Sequence, residues 1–162
     1  MNKVDFHAYI DGLTKTNKLA AGSGFFPCRC SGITQLEELL QNFREQQNFV
    51  CSSDICDEST TMTGGTFFKR RLVTVFILAR FTFGDMDSYT QAMDTCRELF
   101  RQFKSKFIHD ATDFSKKMIH LRADEIRSSE LGGHFLNGAT GLYFMIAYDE
   151  PENLCYNPDE WN

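Results

Sequence analysis

TFFKRRLVTVFILARFTF, residues 66–83, decides how the rest of this chain is read. Side chains alternate along a strand, so Phe67, Val73, Val75, Ile77, Ala79, Phe81 and Phe83 share one face. The other face carries Arg70, Thr74, Arg80 and Thr82, but also Leu72, Phe76 and Leu78. The middle of the segment is therefore apolar on both sides, the pattern of a central strand covered on both faces.

Working outward, residues 86–108 (MDSYTQAMDTCRELFRQFKSKFI) predict a helix of 23 residues, roughly 34 Å long. Tyr89, Met93, Cys96, Phe100, Phe103 and Phe107 form its single apolar stripe. Asp85 and Asp87 open it, and Arg101, Lys104 and Lys106 close it, matching the helix dipole at both ends. MIHLRAD (118–124) reads as an amphipathic strand, and GATGLYFMIAYDE (138–150) as a closing strand. In that strand Tyr143, Met145 and Ala147 face one way, and Leu142, Phe144, Ile146 and Tyr148 the other. Upstream, Phe6, Ile10 and Leu13 predict a helix over about residues 3–17, broken at Ala21-Gly22-Ser23-Gly24. FFPCRC (25–30) is a short extended piece. Ser31 or Thr34 caps a second helix, whose stripe is Ile33, Leu36, Leu40 and Phe43. Gly64-Gly65 supplies the turn of a protruding hairpin over 48–83. The expectation is a single α+β domain over residues 1–150 with a polar tail over 151–162. Its mixed sheet carries a long hairpin, with helices packed on one face in an α-β-β-α-β-β core behind an extra N-terminal helix.

Composition narrows function by exclusion. With 162 residues the chain can bury a proper core, and 16 Phe give it unusual aromatic bulk. A net charge of −5 argues against a binder of phosphate backbones, and Lys69-Arg70-Arg71 is too short a basic cluster to reverse that. No leader-like apolar run opens the chain, and none approaches the roughly 18 residues of a membrane helix, so a soluble protein with no membrane partner is expected. In that setting the six cysteines read as free thiols. Cys28-x-Cys30 with Cys51-x4-Cys56 does not have the knuckle spacing of structural zinc sites, although Cys28 and Cys30 share a strand face. Cys96 belongs to the helix stripe. His7, His109, His120 and His134 fall into no metal or catalytic pattern. Asp54, Asp57 and Glu58 lack the periodicity of a calcium loop. Gly132-Gly133 and Gly138-Ala139-Thr140-Gly141 precede no helix, so no dipole awaits a phosphate, and they read as turns. No catalytic, cofactor-binding or metal-binding residue is expected, and the chain is read as no enzyme, with no cofactor.

What remains is surplus apolar sheet surface. Either helices cover it within one chain, or part of Leu72, Phe76, Leu78, Leu142, Phe144 and Ile146 packs against a neighbour. Trp161, the one Trp, is a candidate anchor on the polar tail. A Ser/Thr-rich hairpin can also add strands edge to edge between subunits. The order helix, hairpin, long helix, two strands, with RRLVTVFILARF, FGDMDSYTQAMDTCRELFRQF and the terminal GATGLYFMIAYDEP, resembles the tail-terminator and tail-completion (head–tail joining, neck) proteins of tailed phages. It departs from that pattern in the Cys-bearing FFPCRC strand and the length of its hairpin. The resemblance implies a virion structural protein assembled in the bacterial host cytoplasm. Its copies form a homo-oligomeric ring, a hexamer, at the head-proximal end of the tail tube. That ring ends tail polymerisation and joins tail to head connector, with tail-tube and connector proteins as partners and DNA only in passage. On charge sign, Asp54, Asp57 and Glu58 would then face the lumen. The competing expectations are a bacterial protein–protein interaction module, a neck or tail-tube component of the same fold, and an enzyme whose Cys or His site the sequence does not reveal.

Overall fold

The computed structural model describes residues 5–42, 48–114, 120–132 and 138–161. Its elements are α1 (Phe6–Thr16), α2 (Lys18–Gly22), β1 (Phe25–Cys30), α3 (Gly32–Asn42), β2 (Asn48–Thr63), β3 (Thr66–Arg80), α4 (Met86–Thr112), β4 (Leu121–Leu131) and β5 (Ala139–Pro151), then a 3-10 turn at Pro158–Glu160. The strands form one sheet in the order β1-β2-β3-β5-β4. β1 runs parallel to β2, and the other neighbours are antiparallel. The fold is α+β with a mixed sheet, and β3 and β5 lie inside it.

Local chemistry sets the boundaries. Asp5 caps α1 by accepting from Ala8 N, and Asn17 ends α1 while its side chain starts α2 by accepting from Ala20 N. Ser31 precedes α3, and its backbone N–H donates to Gln35 Oε1. Asp85 caps α4 by accepting from the Asp87 and Ser88 amides. The β2–β3 hairpin closes with Thr63 opposite Thr66 around Gly64 and Gly65, whose φ values of 58° and 79° make a type I′ turn. The segment 52–65 is thus strand and turn. At 27 residues α4 is one turn longer than expected, roughly 40 Å, and it crosses the sheet. The expected strand residues Met118 and Ile119 lie outside the described residues, as do Phe43, His134 and the side chain of Ile33. β4 instead continues to Leu131, well past the expected end.

Two apolar layers flank the sheet. On one face Val73, Val75, Ile77, Leu142, Phe144 and Ile146 meet α1, α2 and α4. Phe144 is the centre of this layer, stacked on Phe100 at 4.9 Å between centroids and touching Phe107 at 5.7 Å. The expectation placed the helices on one face, and three of them pack there. The fourth, α3, packs on the other, where Leu36 and Leu40 cover Phe49, Cys51, Phe76 and Leu78. Arg80 fastens its end by donating to the Leu40 carbonyl while its guanidinium lies 5.9 Å from the Phe49 ring centroid.

Candidate functional surface

The double covering of the sheet redistributes the residues expected at an interface. Phe76 and Leu78 lie under α3, and Leu142, Phe144 and Ile146 under α4, all buried within one chain. These five are core: α4 covers the three on β5, and α3 covers Phe76 and Leu78 on the opposite face. Leu72 is half-buried and Trp161 exposed. Trp161 stacks on Tyr156 at 6.3 Å, an aromatic pair on the tail.

Leu72 lies in the floor of a groove of about 580 Å³ on the α3 face, beyond the reach of that helix. Met145 and Ala147 complete the floor, Asp57 to Ser59 form one wall, and Asp124 to Arg127 the other. Both walls arise from irregular register, between Ser52 and Cys56 in β2 and between Arg122 and Arg127 in β4. Arg70 spans the groove end, donating from Nε and Nη2 to Asp149 at 2.7 and 2.9 Å, with Glu125 at 3.7 Å. This paired carboxylate raises the Arg70 pKa further.

The three acids of the hairpin are held differently. Glu58 sits 2.7 Å from Lys69 Nζ and 3.0 Å from Arg71 Nε, and the Lys69 hydrogen bond holds its carboxyl below the usual carboxylate range. Asp54 accepts from Ser31 Oγ. Asp57 stands on the groove wall. Along β3, Arg71, Arg70 and Lys69 are the register partners of Glu58, Ser59 and Thr60.

The ionisable groups elsewhere are tied into structure. His7 Nδ1 lies 2.7 Å from Ser52 Oγ, with His7 half-buried and Ser52 completely buried. Asp110, buried beneath α1, accepts from Tyr9 Oη at 3.0 Å and Lys106 Nζ at 2.8 Å, with His109 Nδ1 at 3.1 Å. Among the described residues no group of His, Cys, Asp or Glu is arranged to hold a metal ion. A feature the sequence did not reveal is a cluster of three thiols. Cys28 and Cys51 are register partners across β1 and β2, Cys30 follows two residues later on the same strand face, and the neighbouring thiols together with burial push the Cys51 thiol up. The i, i+2 spacing placed Cys28 with Cys30, but no sequence signal fixes a parallel register.

The edges of the sheet differ in how they are protected. β1 carries Pro27, which has no N–H to offer a neighbour. β4 is irregular and charged, with Arg122, Asp124, Glu125, Arg127 and Glu130. Among the described residues, β2 is paired on both sides only as far as Ser53, and from Cys56 to Thr63 its one partner is β3. The last five residues of that strand, Ser59–Thr63, contain no charge and no proline. Met62 and Phe67, cross-strand partners at the tip, are 66% and 40% exposed. No helix among the described residues is long and apolar enough to cross a membrane. Compared with protein-family models, curated proteins and solved structures, the chain matches none of them.

Proposed function

We propose that this chain is a self-assembling structural protein of the phage tail-terminator kind, whose hairpin adds its free β2 edge to a neighbouring copy and so closes a ring. The observation that carries the reading is the unprotected run Ser59–Thr63 beside the exposed pair Met62 and Phe67. Bare strand edges recruit further strands, and folded proteins normally block them with charge, proline or a bulge. β1 and β4 carry such blocks. The β2 tip carries none, and β-augmentation there satisfies its unpaired backbone groups. A head-to-tail contact of this kind generates a ring when its rotation closes. In this reading the chain has no catalytic role, and tail-tube and head-connector proteins bracket the ring.

The hairpin geometry supplies the test. In a two-residue type I′ hairpin the closing pair, Thr63 and Thr66, is hydrogen-bonded, so Met62 and Thr60 point their N–H groups outward. Thr60→Pro removes one outward donor and leaves the inward ladder intact. Light scattering over a concentration series should show a defined oligomer for the native chain and a monomer for Thr60→Pro, with unchanged circular dichroism. A native chain that stays monomeric at every concentration, or an oligomer indifferent to the proline, overturns self-assembly by this edge. Neighbouring capsid, connector and tail-tube genes are the expectation for the phage assignment itself.

The groove over Leu72, Met145 and Ala147 favours a second reading, an interaction module that takes a partner segment on the α3 face. Leu72→Asp would then abolish partner capture and leave the oligomeric state untouched.

A further inference from the structure

The trio Cys28, Cys30 and Cys51 lies on the α3 face of the two adjoining strands β1 and β2. Cys28 is partly exposed, whereas Cys30 and Cys51 are buried against Leu36, Leu40 and Phe49. Register-paired residues on neighbouring strands stand about 4.8 Å apart, inside the span of roughly 4.4–6.8 Å that a disulfide requires between Cα atoms. Both side chains point to the same face, which sets the two sulfurs side by side. We propose that Cys28 and Cys51 form a dithiol site that reacts with small disulfides of the glutathione class, Cys28 as the entry thiol and Cys51 as the resolving thiol.

The steps balance. The Cys28 thiolate attacks one sulfur of the small disulfide, forming a mixed disulfide and expelling one small thiolate. The Cys51 sulfur then attacks Cys28 Sγ, forming the internal disulfide and expelling the second. The protons of Cys28 and Cys51 pass to the two leaving thiolates, so one small disulfide is reduced to two thiols as one protein dithiol is oxidised. Burial divides the roles, because an external reagent reaches Cys28 alone among the three. Cys30 is buried beside them and is consumed in neither step. The new bond would staple the edge strand β1 to β2 across a loop that contains α3.

The test uses the full chain in a Cys155→Ser background, which removes the exposed tail thiol. The reduced protein is treated with glutathione disulfide, free thiols are titrated, and the digest is mapped by mass spectrometry. The expected result is a loss of two thiols, a cross-linked peptide joining positions 28 and 51, and a thermal midpoint several degrees higher. Cys51→Ser should stop at a stable glutathione adduct on Cys28, and Cys28→Ser should leave Cys30 and Cys51 reduced. Cross-linking of Cys28 to Cys30, a lasting adduct in the parent chain, or an unreactive Cys28 would each overturn the proposal.

Discussion

Gly141 lies on β5 with the backbone of β3 close against it. A Cβ there would sit 2.0 Å from the Ile77 carbonyl oxygen, and φ is +150°, where side chains are strained. Gly141→Ala must move a central strand, so it should cost at least about 2 kcal/mol in urea unfolding, with a lower midpoint and an unchanged slope. In sequence alone Gly138–Gly141 reads as a turn, because a glycine beside Thr looks the same whether it bends the chain or lets two backbones approach. Tyr9 makes a different kind of point. Burial, followed by its hydrogen bond to Asp110, raises its pKa above the ordinary value of 10.0. The folded state then holds the phenolic proton more tightly than the unfolded chain does. Stability from this group is full below about pH 10 and is lost as pH climbs beyond it. Tyr9→Phe should flatten the alkaline side of the stability profile. At neutral pH it should cost about 1–3 kcal/mol, since it leaves a buried carboxylate short of a donor. A profile as steep as that of the parent above pH 10 would show that Tyr9 is not the group responsible.

Among the elements, α3 shows what periodicity can and cannot reveal. The stripe through Leu36 and Leu40 stated that the helix buries one side; it did not state which face of the sheet receives it. That choice follows from chain path, because the parallel β1–α3–β2 connection puts α3 on the side opposite α1 and α4. The oily double face of β3 is explained by this one helix. Leu36→Ala should therefore destabilise the whole fold by about 2–5 kcal/mol, measured by chemical denaturation, even though α3 is short. If the loss were only a few tenths, Phe76 and Leu78 would have to be covered by something other than α3. The second half of β4 escaped the sequence reading for the opposite reason. EIRSSEL (125–131) carries little apolar signal, because it edges the sheet and its side chains are mostly exposed. The hairpin was legible from the start, since Gly64-Gly65 between two alternating runs is a strong local signal. Its bare tip was not, because freedom of an edge depends on how far β1 extends beside it.

For the whole molecule, the question raised by the sequence, whether the surplus apolar surface is covered or shared, separates into two places. The strand interiors are covered, and the hairpin tip is open. Phe144→Asp would bury a charge against Phe100 and Phe107, so it should unfold the chain instead of releasing subunits from one another. Met62→Asp, at a site already exposed to water, should leave the thermal midpoint nearly unchanged and act on assembly alone. Salt separates the edges that could carry that assembly. Ser59–Thr63 bears no charge, whereas β4 is studded with Arg, Asp and Glu. At molar salt the screening length contracts to about 3 Å, so contacts built on exposed ion pairs weaken while backbone ladders and apolar contacts persist. The oligomer mass in sedimentation should accordingly hold from low salt to molar salt in the native chain and be lost with Met62→Asp at both. Dissociation by salt alone would move the contact to the charged β4 edge, and the β2 tip would then be a free end that assembly does not use.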